Sequence, residues 1–353
     1  MNKMNKIGSQ NTPLLLGIDL GTSRTMVMSN RGTRAEVRSV VGYPKDIIGV
    51  KLMHHAFMIG EEALKRHSYL DIQYPLEDGV LKEANDQATD AATLLIKHVI
   101  GLANPQPGDQ IYGVLGVPAR ASLFNKSQLL RITQELLDFS MVVSEPFMAA
   151  YEIGALNNAI IIDIGGGTTD ICAMRGTIPS GEEQVTILKA GNYIDLVLEN
   201  LVKENYPDVQ MTANLARKIK EKYAFVGESK EEKMVSMRMS GKPAMINLTK
   251  EIRTACETIV ADIVEHLQSL IMVFDPEDQD EALQNIYLTG GGSRIQGLDT
   301  ELTTRMKEYG TVVVRQVPDP DFCGVAGALK LATELPPQYW EQVGQVINKA
   351  TKS

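Results

Sequence analysis

Two segments of the 353-residue chain repeat one another, and this repeat constrains the fold more than any other feature. Residues 14–32 read LLLGIDLGTSRTMVMSNRG, and residues 158–176 read NAIIIDIGGGTTDICAMRG. Each copy is an apolar strand that ends in Asp, a turn of small residues, a second apolar strand and Arg-Gly, which is the pattern of a β-hairpin. The repeat therefore predicts two similar domains that face each other.

Strand and helix patterns alternate along the rest of the chain. Apolar runs at 111–117 and 286–289 predict buried strands, and apolar residues at helical spacing predict helices at 122–139 and, as one long helix, at 249–274. Alternation of this kind is typical of an α/β fold with helices on the faces of the sheets.

The repeat also predicts the domain organisation. We expect domain I over residues 14–157, with 322–345 packing back on it, and domain II over 158–321. The remaining residues, 1–13 and 346–353, are expected to be flexible tails.

The charge and the cysteines narrow the class of protein. The chain has 35 Lys and Arg against 44 Asp and Glu, a net charge of −9, which disfavours a nucleic-acid partner bound by a broad basic face. No apolar run reaches the roughly 18–20 residues that span a bilayer, so we expect no membrane insertion. Cys172, Cys256 and Cys323 lack metal-site spacing, and reduced thiols in the cytoplasm are the expected state.

Three glycine-rich turns are candidate phosphate or ribose contacts, because glycine lets backbone N–H groups approach an anion closely. Taken alone, a Gly-Thr turn between two strands is more often only a hairpin. No P-loop sequence occurs, and no G-x-G-x-x-G follows the first strand. The turns are Gly21-Thr22-Ser23, Gly165-Gly166-Gly167-Thr168-Thr169 and Gly290-Gly291-Gly292-Ser293.

Two carboxylates favour ligand-binding turns over plain hairpin turns. Asp19 and Asp163 each end an apolar strand beside a glycine turn, where an unpaired carboxylate would be costly. A Mg²⁺ ion that keeps its waters and bridges nucleotide phosphates suits such a pair, since magnesium takes few protein carboxylates. The alternative is that both Asp residues only cap their turns. We favour the metal interpretation, with Asp19 and Asp163 acting through waters.

Together these segments resemble the actin, heat-shock-70 and sugar-kinase superfamily. The resemblance lies in LGIDLGTS (16–23), IIDIGGGTTD (161–170), TGGGSRIQGL (289–298) and two connecting segments, YPLEDGVL (74–81) and DPDFCGVAGAL (319–329). It implies duplicated actin-like (ribonuclease H-like) α/β domains, each a mixed sheet flanked by helices, with a nucleotide cleft between them. The first two turns would grip the phosphates of ATP or ADP, and the third would lie at the adenosine.

Within that superfamily, two segments are similar to actins and imply further roles. VSEPFMAAYEIG (143–154) resembles the cell-shape type of bacterial actin and places Glu145 beside the attacking water, with Asp163 assisting. A Glu before Pro is otherwise only a favourable charge at the start of a helix. KIKEKYAFVG (218–227) resembles the ribose-contacting segment of actin and points to Lys220 and Glu221.

A narrower resemblance is to magnetosome-associated bacterial actins. It lies in SVVGYPKDIIG (39–49), SYLDIQYPLEDGVL (68–81), GVPARAS (116–122) and ELPPQYW (334–340). It implies an ATPase that self-associates into polar cytoplasmic filaments alongside magnetosome vesicles, with accessory proteins there. Arg24 and Thr25 stand where conventional actin has a phosphate-binding Lys nearby, so charge neutralisation should rest on Mg²⁺ and backbone donors.

Two other functions remain open at this point. A small-molecule kinase of the superfamily would need an Asp that acts on a bound hydroxyl, and no separate segment supplies one recognisably. A scaffold that binds nucleotide without hydrolysing it would keep the same turns.

Overall fold

The structure is a computed structural model that describes residues 12–82 and 86–340. The strands are β1 Leu14–Leu20, β2 Arg24–Ser29, β3 Arg34–Arg38, β4 Val41–Pro44, β5 Met58–Ile59, β6 Leu70–Gln73, β7 Leu76–Glu77, β8 Val80–Leu81, β9 Ile111–Val117, β10 Phe139–Ser144, β11 Asn157–Ile164, β12 Thr169–Arg175, β13 Gln184–Ile187, β14 Met234–Met239, β15 Lys242–Asn247, β16 Ile286–Thr289 and β17 Val314–Gln316. The helices are α1 Ile47–Met53, α2 Glu61–Lys65, α3 Asp86–Leu102, α4 Leu123–Gln134, α5 Glu145–Ile153, α6 Gly191–Asn205, α7 Ala213–Tyr223, α8 Thr249–Glu257, α9 Val260–Ile271, α10 Gln279–Gln284, α11 Leu298–Met306 and α12 Cys323–Glu334.

Two five-stranded mixed sheets confirm the predicted duplication. The first has the order β10-β9-β1-β2-β3 and the second β13-β12-β11-β16-β17. In each sheet the first repeat strand pairs antiparallel with its hairpin partner and parallel with a later strand, β9 or β16. We call the part of the chain built on the first sheet lobe I and the part built on the second sheet lobe II.

The helices α5 and α12 lie between the two sheets. Met148 of α5 and Ala328 of α12 share one buried apolar cluster with Val114 of the first sheet and Ile161 and Cys172 of the second. Because both sheets pack on the same pair of helices, they stand side by side, and the carboxyl ends of β1 and β11 point toward the same opening.

Two glycines allow this close packing. A Cβ on Gly327 of α12 would lie 1.8 Å from the backbone oxygen of Met148, and one on Gly17 of β1 would lie 2.4 Å from the backbone oxygen of Val325. Real side chains do not approach so closely, so the two sheets can converge only where these positions lack a Cβ.

Each lobe carries a smaller addition. Lobe I carries the three-stranded sheet β5-β4-β6 with α1 and α2, and lobe II carries the β14-β15 hairpin. The sequence patterns did not predict α1, although the Asp46 side chain caps it by accepting from the N–H groups of Ile48 and Gly49.

Several predicted boundaries are wrong. The segment 249–274, predicted as one helix, forms two helices, α8 and α9. Between them the Thr258 hydroxyl donates to the Ala255 oxygen at 2.6 Å, and this bond interrupts the regular helix. The helix predicted over 122–139 ends at Gln134, and Leu137 turns to pack on Gly113 of β9. Both segments do form helices, but the apolar pattern did not show where each helix ends.

The domain boundaries proposed from the sequence stay a prediction. Helix α12 does lie against β1 of lobe I and α5, through Gly17 and Gly327. Residues 1–11 and 341–353, which include most of the predicted tails, lie outside the described residues.

The packing of α12 gives a direct test. Gly327→Ala should lower the free energy of unfolding by about 2–3 kcal/mol, because the added methyl overlaps the backbone of α5. Gly101→Ala near the end of α3 is the matched control, since its Cβ meets nothing within 4 Å. Urea unfolding followed by circular dichroism measures both. Equal effects of the two substitutions would contradict the packing described here.

Candidate functional site

A cavity of about 530 Å³ lies between the lobes at the carboxyl ends of the central strands. Both lobes contribute to its wall, and most of the residues predicted from the sequence line it. These are Asp19, Gly21, Ser23, Glu145, Asp163, Gly165, Gly166, Lys220, Glu221, Gly290, Gly291 and Gly292. The three glycine turns, separated by more than 100 residues along the chain, therefore meet at one place.

Three predicted residues, Thr22, Gly167 and Thr168, lie behind the cavity wall. The Thr22 hydroxyl accepts from the backbone N–H of Gly79 at 2.6 Å, and a Cβ on Gly167 would lie 2.4 Å from that same hydroxyl oxygen. Thr168 is buried, and its hydroxyl oxygen lies 3.6 Å from the Cβ position of Gly79. These residues pack the two hairpin turns against the β7-β8 turn, and their direct contact with a ligand stays a prediction.

Three acidic side chains, Asp19, Glu145 and Asp163, line the cavity, and a fourth, Asp170, is buried close to them. Burial, together with the neighbouring Asp170 carboxylate, raises the pKa of Asp19 to about 6. Burial also raises the pKa of Asp163 and of Glu145 well above their usual values, with Asp19 as the largest charged contributor for both. The cluster therefore holds protons, or requires a cation, at neutral pH.

Asp170 was not singled out from the sequence. Its carboxylate is 1% exposed and accepts from the N–H of Ala119 at 2.8 Å and from the Thr186 hydroxyl at 2.6 Å. It also stands opposite Asp163 in the β11-β12 pair. The only sequence feature that marks Asp170 is its position at the end of the second glycine motif. Its hydrogen-bond partners come from other parts of the chain, so the sequence does not reveal them.

Two buried oxygens of the cluster have no hydrogen-bond partner among the residues that the structure describes. Asp19 Oδ1 and Glu145 Oε1 make no hydrogen bond to the described part of the chain. Such atoms are normally satisfied, so they mark where a cation or its waters would bind. Within residues 12–82 and 86–340, no three His, Cys, Asp or Glu side chains are placed so that they could hold a metal ion together.

Glu145 is held by the junction of β10 and α5. It is the first residue of α5, followed by Pro146, and its side chain is only 8% exposed. A Cβ on Gly116 would lie 3.3 Å from the Cγ of Glu145, so the glycine leaves room for the side chain. A carboxylate that only favoured the helix start would face solvent, whereas Glu145 lines the cavity.

Lys220 and Glu221 both carry ionic partners. The Nζ atom of Lys220 lies 2.8 Å from Asp195 Oδ1 and donates to the Gly191 oxygen at 2.6 Å. Glu221 Oε1 accepts from Arg24 at 3.2 Å and from Arg38 at 3.3 Å, both in lobe I. These ion pairs, which the sequence did not predict, hold the candidate ribose contacts in place, and the ribose role itself stays a prediction.

The third turn depends on glycine for a steric reason. Gly290 has φ +75°, and a Cβ there would lie 2.3 Å from Asp163 Oδ1. A Cβ on Gly292 would lie 2.2 Å from Ile164 Cγ2. The turn therefore packs directly on the end of β11, beside the Asp163 carboxylate.

The raised pKa of Asp19 predicts how stability depends on pH without metal and nucleotide. The folded state keeps the Asp19 proton up to about pH 6, whereas the unfolded chain loses it near its usual value of 3.8. The parent therefore loses stability as pH rises through that window, by on the order of 2–3 kcal/mol in full. We expect Asp19→Asn to be more stable than the parent at pH 8 in EDTA.

This gap should shrink toward pH 4, where Asp19 is protonated in the folded state and about half protonated in the unfolded chain. Urea unfolding of both proteins from pH 4 to pH 8 measures it. A gap that does not change with pH would contradict a protonated, buried Asp19.

Comparison with known proteins agrees with this geometry. Residues 14–337 match the family model described as MreB/Mbl protein. The actin-like protein MamK of Paramagnetospirillum magneticum is 49% identical over 339 residues, which cover 96% of this chain and 98% of that protein. MamK of Magnetospirillum gryphiswaldense is also 49% identical, with 96% and 94% covered.

Solved structures of MamK are also similar to this chain. A structure described as a MamK double helical filament has a TM-score of 0.90 at 49% identity and covers 92% of this chain and 100% of its own. A non-polymerising MamK mutant bound to AMPPNP has a TM-score of 0.72 at the same identity, with 92% and 99% covered. The chain therefore belongs to the MreB/Mbl family of bacterial actin-like proteins.

Proposed function

We propose that this chain binds ATP between its lobes, assembles into filaments and hydrolyses ATP to drive their turnover. The observation that carries this proposal is that three glycine turns and the carboxylates of Asp19, Glu145 and Asp163 converge on one cavity between two duplicated lobes. The AMPPNP-bound MamK structure supports an ATP-type ligand, since AMPPNP is an ATP analogue. The filament structures of MamK support self-association.

The nucleotide would lie across both lobes. The turns at Gly21 and Gly165-Gly166 would offer backbone N–H groups to the phosphates of ATP or ADP. The turn Gly290-Gly291-Gly292 would lie at the adenosine. Lys220 and Glu221 are proposed ribose contacts, which fits their place in the cavity wall.

Asp19 and Asp163 would hold Mg²⁺ through its waters, and the ion would neutralise phosphate charge. This proposal rests on the partnerless oxygen of Asp19 and on the raised pKa values of both carboxylates. Arg24 lines the cavity but is bound to Glu36 at 3.4 Å and to Glu221, so it is not free to serve as a phosphate contact.

Hydrolysis needs an oriented water and a proton acceptor. We assign both tasks to Glu145: its free Oε1 would accept a hydrogen bond from the attacking water and then take its proton. A carboxylate with a raised pKa is a stronger base than an ordinary surface glutamate. Asp163, on the neighbouring strand end, would assist in orienting the water. Because phosphoryl transfer depends mainly on positioning, a small rotation of the lobes on assembly would suffice to start hydrolysis.

The cellular role is proposed from similarity. Polar cytoplasmic filaments that align and position magnetosomes, with accessory proteins at the vesicles, would follow the relatives that carry the MamK name. No helix among residues 12–82 and 86–340 is long and apolar enough to cross a membrane.

Glu145 gives the test of hydrolysis. Glu145→Gln keeps the shape of the side chain but removes the base, so phosphate release with Mg-ATP should fall about 10²-fold or more. The variant should still bind ATP and pellet with it, and its filaments should persist longer than those of the parent.

Phosphate release and high-speed sedimentation, each with ATP, with ADP and without nucleotide, measure these effects. Unchanged phosphate release would remove Glu145 from the mechanism. A parent that binds ATP and releases no phosphate would instead favour a non-hydrolysing scaffold.

A further inference from the structure

A second cavity, of about 390 Å³, lies in lobe II outside the cavity between the lobes. Its wall is formed by the chain after α6, the loop between α7 and β14, the end of β15 and the first turns of α8. A volume of this size suits a small-molecule ligand. We call this cavity the α8 pocket, and the lining residues that matter here are Tyr206, Phe225, Thr249, Lys250, Glu251 and Arg253.

A buried carboxylate with an unused oxygen lines the α8 pocket. Glu251 is 5% exposed, and its Oε1 atom accepts from the side-chain amide of Asn205 at 2.9 Å. The amide is neutral, so it leaves the charge of the carboxylate uncompensated. The Oε2 atom is buried and has no hydrogen-bond partner among the described residues. Buried acceptors normally have a donor, and buried charges an opposite charge, so Oε2 is where a cationic donor would bind.

The usual role of a glutamate in the first turn of a helix does not explain Glu251. In a capping box, such a side chain bonds back to the N–H of the N-cap residue. The N-cap residue of α8 is Leu248, and its N–H donates to the Lys233 oxygen at 3.0 Å instead. A glutamate that only favoured the positive end of the helix would be exposed to solvent. The local structure of α8 therefore makes no use of Glu251 Oε2.

Two aromatic rings line the same pocket. The ring of Tyr206 is held because its hydroxyl donates to the Asn247 oxygen at 3.1 Å, and Phe225 is 2% exposed. Burial and the charge of Glu251 raise the pKa of Tyr206, which agrees with a phenol close to that carboxylate. Aromatic rings attract ammonium groups through their faces. The rings and the carboxylate together suit an organic ammonium group.

The open side of the α8 pocket carries the opposite charge. Lys250 is exposed there, and the Nε atom of Arg253 is buried without a hydrogen-bond partner among the described residues. That Nε atom lies 3.9 Å from Glu257 Oε1, which is too far for a hydrogen bond. The first turn of α8 adds the positive end of the helix dipole. This side of the pocket therefore suits an anionic group.

We propose that the α8 pocket binds a small amino acid, with its ammonium group on Glu251 Oε2 and its carboxylate toward Lys250 and Arg253. A simple amine would be repelled by the two cations, and a simple carboxylate would be repelled by Glu251. A ligand that carries both charges is attracted by both sides of the pocket.

The α8 pocket is separate from the cavity between the lobes but shares a wall with it. Tyr223 and Ala224 line that cavity, whereas the next residue, Phe225, lines the pocket. Lys233, which lines the cavity, donates its backbone N–H to Thr249 Oγ1 of the pocket at 2.7 Å. Both sites can therefore be occupied at once, so the amino acid is tested with nucleotide present.

Saturation-transfer NMR on the full chain, with saturating Mg²⁺ and ADP, tests the proposal. The probes are glycine, β-alanine and γ-aminobutyrate, in which the two charges stand progressively farther apart. At least one should bind with a dissociation constant of about 1 mM, as suits a ligand of this size. Propylamine and butyrate, which carry one charge each, should bind about 10-fold more weakly or worse.

The decisive variant is Glu251→Gln. It keeps the size of the side chain and an acceptor for Asn205 but removes the charge, so the affinity for the amino acid should fall about 10-fold or more. Glu204→Gln removes an equal charge from an exposed position of α6 and, as the matched control, should bind like the parent. If Glu251→Gln unfolds at a lower temperature than the parent, Lys250→Gln, at an exposed position, replaces it with the same expected loss.

Three results would overturn the proposal. Absence of saturation transfer to all three amino acids, or equal binding by Glu251→Gln and the parent, removes the site. Propylamine that binds as tightly as the amino acids would assign the pocket to a simple organic cation instead. Displacement of the amino acid by excess ADP would place it in the cavity between the lobes. None of these results bears on ATP binding or filament assembly, which the α8 pocket does not require.

Discussion

The repulsion among four buried carboxylates is the constraint on which the rest of this structure depends. Two duplicated hairpins bring Asp19 and Asp163 to the same place, and the strand ends beside them add Glu145 and Asp170. Asp170 accepts two hydrogen bonds at Oδ1, from Ala119 and Thr186, whereas Asp19 Oδ1 and Glu145 Oε1 accept none within the described residues. The remaining charge must be neutralised by protons or by a cation, so the lobes are most stable together when something positive lies between them.

The backbone makes this convergence possible. Because α5 and α12 pack without side chains at Gly327 and Gly17, the two sheets come close enough for their strand ends to share one cavity. The two MamK structures match this chain with TM-scores of 0.90 and 0.72 at the same sequence identity. The chain therefore matches the filament form of MamK more closely than it matches the AMPPNP-bound mutant.

The repeat was enough to predict the duplicated lobes and the pair Asp19 and Asp163, because both hairpins follow from local patterns. The sequence could not predict the partners of these residues. The contact of Asp170 with Ala119 joins distant parts of the chain. The ion pair of Lys220 with Asp195 joins two neighbouring helices. The periodicity of apolar residues carries no information about either contact. The break between α8 and α9 was missed because the apolar spacing continues across it. The apolar run in α1 carries no mark of its exposure, which becomes visible only when Gly49 is seen to occupy the inner face.

The most direct test of the account is calorimetric titration of ATP into the parent, Asp19→Asn and Asp163→Asn, each with Mg²⁺ and with EDTA. If the two hairpins hold one magnesium–nucleotide complex, Mg²⁺ should strengthen ATP binding by the parent, and each substitution alone should remove most of that gain. Full Mg²⁺ dependence in either variant would contradict a shared site between the lobes.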